Sequence, residues 1–456
     1  MTRRAWLLLG ALSLPLVAAM RRTPVRVTAV PPAWSKNAAI YEINVRQYTP
    51  EGTFAALDRQ LPRLDSLHVD ILWIMPVQPI GKKNRKGPLG SYYSISNYRA
   101  INPEYGTAAD FNKLVADAHR LGKKVLLDWV PNHTSFDHVW ITTHPEWYVH
   151  RADGSISNAR DNEGHETDWT DVAELNYDNP AMRRAMIADM RWWLDTMKVD
   201  GFRCDVAGGV PMDFWSDARR ELTIARPQLF MLAEAEGPEF YPAFDATYGW
   251  EFHHLLNEVA QGKRPTTDLN PYFARSRSTY PTTAYRMYFT SNHDENSWNG
   301  SEFERMGANS APAFVLSATV LESMPLLYTG QEASMKKRLR FFEKDTVDWS
   351  GPSLASFYRS LFDLKHQNQA LWNGAYGGSQ TILTTDGGGR VFAFTRNGAS
   401  NTVFVAVNFG DSAARITYRG LSRAGVFSDW FSKMAVPLKE SGTLEIPAHG
   451  YRVLVQ

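Results

Sequence analysis

The chain has 456 residues, with 49 Lys and Arg against 48 Asp and Glu. That balance excludes a broadly basic nucleic-acid surface, and 44% hydrophobic content excludes a disordered chain. The single cysteine, Cys204, excludes an intrachain disulfide framework and cysteine-rich metal sites. Aromatic residues make up 12%, including 15 Trp and 19 Tyr, which suits either a large core or a groove that grips sugars.

Residues 1–19 read as a secretory signal. Arg3 and Arg4 form a positive start, Ala5 to Val17 an apolar stretch, and Val17-Ala18-Ala19 a small-residue cleavage site. The expected location is secreted or periplasmic, with no membrane attachment after cleavage. Residues 20–35 form a lead-in segment.

Short apolar runs then alternate with helical patterns. Strands are expected at 39–45, 70–75, 124–128, 201–205, 230–234, 243–245, 285–291 and 325–328. Runs such as Ile71-Leu72-Trp73-Ile74-Met75 suit strands buried on both faces. Helices are expected at 54–67 and 108–121, and after Asn179-Pro180, where Met182, Met186, Met190 and Trp193 share one face. Eight strands alternating with helices predict an α/β fold, a (β/α)8 barrel. The other candidate, an open doubly wound sheet binding nucleotides, lacks its glycine-rich fingerprint.

The barrel is expected to occupy 36–133 and 180–373. An inserted subdomain after the third strand covers 134–179. Short β segments separated by Gly, Asn and Asp predict a C-terminal antiparallel β-sandwich domain over 374–456.

Acids end several strands. Asp128, Asp205 and Glu234 each close an apolar run, and Asp294 follows Tyr288 to His293. A barrel of about 250 residues allots about 30 to each βα unit. Asp205 and Glu234 are 29 positions apart, and Glu234 and Asp294 are 60 apart. The four acids therefore fit strands three, four, five and seven, all facing one mouth. Paired carboxylates there suit glycoside hydrolysis, in which one is nucleophile or base and the other an acid. A metal site is the competing reading, but no HExxH is present.

These residues resemble the α-amylase superfamily of retaining glycoside hydrolases. Asp128 to His133 is similar to its D-x-x-x-N-H motif, Gly201 to Ala207 to G-F-R-x-D-x-A, and Asn292-His293-Asp294 to N-H-D. The resemblance implies Asp205 as nucleophile, Glu234 as general acid and base, and Asp294 as holder of the sugar hydroxyls. It implies Arg203 beside the nucleophile, sugar contacts from Tyr93, His133 and His293, and a structural role near the sugar for Asp128. Trp298 is a candidate rim contact. Glu236 competes with Glu234, which directly follows the apolar strand.

Three departures bear on this. Gly208-Gly209 stands where many members have Lys-His near a calcium, which leaves Asn132 and Glu174 as candidate calcium ligands with a partner missing. No other cofactor is implied. Val206 follows the nucleophile, as in members acting on α-1,6 or α-1,1 links. Asn97 stands where Asp is common. The expected activity is hydrolysis of starch or maltodextrins. The alternatives are an α-glucosidase, cyclomaltodextrinase or oligo-1,6-glucosidase, and, in another class, an inactive carbohydrate-binding protein. The partner is a neutral α-glucan, with no nucleic acid; the sequence leaves oligomeric state open.

Overall fold

The computed structural model describes residues 29–161 and 164–456. The expected signal and residues 20–28 of the lead-in lie outside these. Eight parallel strands close into a barrel: β1 (Ile40–Ile43), β2 (Ile71–Ile74), β3 (Lys124–Trp129), β4 (Gly201–Cys204), β5 (Phe230–Ala233), β6 (Ala246–Tyr248), β7 (Tyr285–Phe289) and β8 (Ser323–Tyr328). Each pairs with its chain neighbours, and β8 closes on β1 with Glu42 opposite Tyr328.

Side chains alternate along each strand, so half face the lumen and half the surrounding helices. Ile40, Ile71, Leu126, Phe230, Ala246, Met287 and Leu326 pack together inside the barrel. Tyr41, Leu72, Leu127 and Phe202 belong to the outer layer, against helices such as Ala108–Arg120 and Pro180–Asp195. The continuous apolar runs are thereby explained, because both faces are covered. Toward the C-terminal mouth the inward positions become polar, as at Glu42, Asp128 and Arg203. At Gly201 an added Cβ would lie 1.8 Å from the Phe230 carbonyl oxygen. Only glycine lets β4 and β5 approach this closely.

Two expected elements differ. The sixth strand is Ala246–Tyr248 rather than 243–245. Asp245 precedes it, its carboxylate accepting from Arg219 Nη1 at 2.6 Å and from Met231 N at 2.8 Å. The helix expected over 54–67 is two short helices, Phe54–Asp58 and Leu61–Asp65, with Pro62 in the first turn of the second. Proline lacks the N–H that would continue the first helix. Asn179 caps the helix Pro180–Asp195 by accepting from Ala181 N and Met182 N. Met182, Met186, Met190 and Trp193 on that helix are buried, so the methionine stripe is packing.

Between β3 and Pro180 the chain forms a small layer above the mouth, pinned by the antiparallel pair His133–Ser135 and Val172–Glu174. Residues 379–455 form a six-stranded and a three-stranded antiparallel sheet packed around Leu383, Phe404, Ile416, Phe427 and Leu454. Arg396 joins this domain to the barrel by donating to the carbonyls of Thr319 and Val320 at 3.0 and 2.6 Å.

Candidate active site

The C-terminal mouth opens into a cavity of about 960 Å3. Asp205, Glu234 and Asp294 line it from the ends of β4, β5 and β7, with Tyr93, His133, His293 and Trp298 around them. Arg203 and Asp128 do not line it. Both are completely buried below its floor and act on the cavity through the groups above them.

Arg203 organises the floor. Its Nη1 lies 2.9 Å from Asp128 Oδ1 and 2.9 Å from Asp205 Oδ1. Its Nε donates to the Tyr248 hydroxyl at 3.1 Å. Its Nη2 lies 2.6 Å from Glu234 Oε1, close enough for an ion pair but not aligned as a hydrogen bond. One guanidinium thus touches three acids from three strands. The registry that pairs Asp128 with Arg203 across β3 and β4 sets this up. A permanently charged, rigid fork suits the role better than lysine would.

Burial pushes both Glu234 and Asp205 above the usual carboxylate range. Arg203 opposes this at both, while the Glu234 charge adds to the rise at Asp205. Arg203 makes its aligned bond to Asp205, so the proton that the pair retains is better placed on Glu234. Glu234 Oε2 also accepts from Val206 N at 2.7 Å. Val206 sits at φ 43°, a left-handed conformation unfavourable for a β-branched residue.

His293 is buried beside Asp294, with Nε2 3.2 Å from Asp294 Oδ2 and 2.7 Å from the Tyr93 hydroxyl. Burial pulls its pKa down, but Asp294 and Glu42 outweigh this and lift it to about 9. Tyr93 donates to Asp128 Oδ2 at 3.1 Å and runs nearly parallel to the His293 ring. His133 is different: burial lowers it to about 4, leaving a neutral ring. Trp298 is half exposed and packs against Phe341 and Phe342.

Glu236, the competing acid, also lines the cavity but belongs to another network. It pairs with Arg286 and accepts from Glu251 N at 2.8 Å. It has no contact with Arg203, which sets it apart from Glu234.

The candidate calcium position does not fit that ion. Glu174 Oε2 accepts from Asn132 Nδ2 at 3.1 Å and from Arg160 N at 3.0 Å. Burial lifts Glu174 to about 7. Calcium takes six to eight oxygen ligands, whereas this pair offers one carboxylate already facing two N–H donors. Among the described residues, no group of three or more His, Cys, Asp or Glu is placed to hold a metal.

Sequence reasoning missed several residues here. Trp169 comes from the inserted layer, Trp250 begins a helix, and Phe341 and Phe342 lie in the loop after β8. None follows a periodic pattern. Glu42 was also missed, although an acid within the apolar run Ile40-Tyr41-Glu42-Ile43 was a readable signal.

A closed eight-stranded barrel with acids from separate strands around one polar mouth defines a barrel of the carbohydrate-processing type. Residues 33–351 match the family described as alpha amylase, catalytic domain, and residues 382–453 match the alpha amylase C-terminal all-beta domain. The chain belongs to the alpha-amylase family. Alpha-amylase MalA of Haloarcula japonica is 30% identical over 402 residues, covering 84% of this chain and 57% of the relative. An alpha-1,4-glucan:maltose-1-phosphate maltosyltransferase of Streptomyces coelicolor is 25% identical, covering 87% of this chain and 61% of the relative. The chain thus spans about three-fifths of these curated relatives. The solved noncanonic maltogenic alpha-amylase AmyB of Thermotoga neapolitana is 28% identical, with a TM-score of 0.83 over 92% of this chain and 99% of that one.

Proposed function

We propose that the protein is a retaining hydrolase of α-glucosidic bonds in neutral α-glucans such as starch and maltodextrins. The observation that carries this is the Arg203 fork, which holds Asp205 and Glu234 together at the cavity floor. Contacts of 2.9 and 2.6 Å to the two ends of one guanidinium place both carboxyls at one floor, and retention is carried by the resemblance of Asp205 and Glu234 to the nucleophile and acid of retaining relatives. Retaining enzymes need a separation of about 5–5.5 Å, whereas inverting ones need room for a water between them.

Asp205 then attacks the anomeric carbon and forms a glycosyl ester. Glu234 gives its proton to the departing glycosidic oxygen. In the second half, Glu234 takes a proton from water as that water attacks the anomeric carbon, which frees Asp205. Asp294 and His293 face the same space and hold sugar hydroxyls. Trp298, Trp169 and Trp250 offer flat rings along the walls.

Hydrolysis is favoured over transfer to or from a sugar phosphate. Beyond the three central acids, Asp168, Asp171, Glu236 and Glu239 also line the cavity, against one lysine, Lys86. Lys86 itself donates to the Asp168 carbonyl and faces Asp171. A phosphate would find few unpaired cations among these acids, since Lys86 already faces Asp171, whereas a neutral glucan needs none. Product analysis on maltoheptaose with and without inorganic phosphate tests this. Free maltooligosaccharides in both cases support the reading, and phosphate-dependent sugar phosphates would overturn it.

Export is a further part of the proposal, resting on residues 1–19 alone. The amino-terminal sequence of protein recovered outside the cytoplasm tests it, and retention of Met1 would contradict it.

A further inference from the structure

Glu42 lies on β1, completely buried, and points into the lumen just below the cavity floor. Its Oε1 is 2.5 Å from His293 Nδ1. Its Oε2 has no hydrogen-bond partner among the described residues. Barrel closure places it there, because β1 pairs with β8 and β2 at Glu42, opposite Tyr328 and Trp73.

Both nitrogens of His293 therefore face acceptors. Nδ1 faces the Glu42 carboxylate. Nε2 faces Asp294 Oδ2 and the Tyr93 hydroxyl, whose own proton is directed to Asp128. A neutral imidazole has one N–H and one lone pair, and it cannot donate on both sides. Only the imidazolium donates toward both Glu42 and Asp294.

We propose that Glu42 is a positioning residue that keeps His293 doubly protonated, so that its Nε2–H faces the cavity beside Asp294. The carboxylate does for this histidine what an orienting acid does for a catalytic or metal-bound one: it fixes the ring and the proton distribution. The charged groups that bear on His293 are Glu42 on β1, Asp294 next to it, Arg203 on β4 with its partners Asp128 and Glu234, and the Tyr93 hydroxyl. Arg203 opposes the imidazolium, whereas Asp294 and Glu42 favour it. Burial pushes the Glu42 carboxyl up, and His293 pulls it back down.

The consequence falls on the glucan-hydrolysing site proposed above, on which this inference rests. An imidazolium beside Asp294 presents a fixed donor to a sugar hydroxyl. With Glu42 made neutral, His293 would lose its second proton at lower pH, and with it the charge it presents beside Asp294 and the ability to donate from both nitrogens.

The experiment uses the full chain with 13C-labelled histidine, with the His293 signal assigned from His293→Gln. In the unmodified protein, His293 should remain an imidazolium through pH 7. In Glu42→Gln, it should titrate near the ordinary histidine range, around pH 6.5. On maltoheptaose, Glu42→Gln should lose on the order of tenfold in kcat/KM at pH 7.5 and markedly less at pH 5.5, where His293 recovers its proton. A neutral His293 in the unmodified protein at pH 7 overturns the proposal, as does a loss in Glu42→Gln that is equal at both pH values. Should Glu42→Gln fail to fold, the titration of the unmodified protein alone decides. That titration needs no turnover, so it stands apart from the test of the hydrolase reading.

Discussion

The backbone N–H of Val206 donates to Glu234 Oε2 at 2.7 Å, which ties the residue after Asp205 to the acid on the next strand. The two carboxyls are thus linked twice, through Arg203 below and through the backbone beside them. The link depends on Val206 holding φ 43°.

Val206→Gly should expose the cost of that conformation. A non-glycine residue in such a region costs about 1–3 kcal/mol, and glycine does not. We expect an equal or higher melting temperature with kcat little changed, because glycine holds the same φ and keeps its N–H on Glu234. Thermal unfolding and steady-state rates on one maltooligosaccharide check this. A lower melting temperature, or a large loss of kcat, would contradict it.

Asp128 should prove a structural partner of Arg203 rather than a sugar contact. It also accepts from Trp73 Nε1 at 3.1 Å and from Tyr93 at 3.1 Å, and none of its surface reaches solvent. Removing one charge from a buried pair costs on the order of 3 kcal/mol, since the other is left undercompensated. Asp128→Asn should show this loss in urea unfolding. A change below about 0.5 kcal/mol, the size of an ordinary surface effect, would count against the account.

Glu174 links stability to pH. Its folded pKa is lifted by burial from the ordinary glutamate value of 4.5 to about 7, so the folded chain binds the extra proton between those values. Stability from this group is therefore greatest at low pH and falls as pH rises through the window from 4.5 to 7. Glu174→Gln removes the titration, so its melting temperature should exceed that of the unmodified protein at pH 8 and approach it at pH 5. A bound calcium would reverse the logic by stabilising the ionised form. The poor fit of the donors predicts that chelation leaves melting temperature and rate unchanged, and a drop in either would restore calcium.

Much of this site was legible because a barrel turns a one-dimensional spacing into a ring. Asp205, Glu234 and Asp294 end or follow expected strands about one or two βα units apart, so the fold brings them together wherever loops wander. Arg203 was legible by parity, two positions before Asp205 on one strand. Glu42 showed as an acid inside an apolar run, but its meaning depends on β8 closing against β1, a contact 286 positions away in the Glu42–Tyr328 pairing. Trp169, Phe341 and Phe342 come from irregular loops, where no period ties a residue to a face. The sixth strand lies three residues later than the expected 243–245, and the carboxylate of Asp245 before it serves Arg219.

The central claim is that Asp205 forms a covalent bond to the sugar. Incubating the protein with 5-fluoro-α-glucosyl fluoride and mapping its peptides by mass spectrometry tests this directly. The account predicts a single glycosyl adduct on Asp205, absent from Asp205→Asn. An adduct on Glu234 or another residue, or turnover with inversion of the anomeric centre and no adduct, would contradict it.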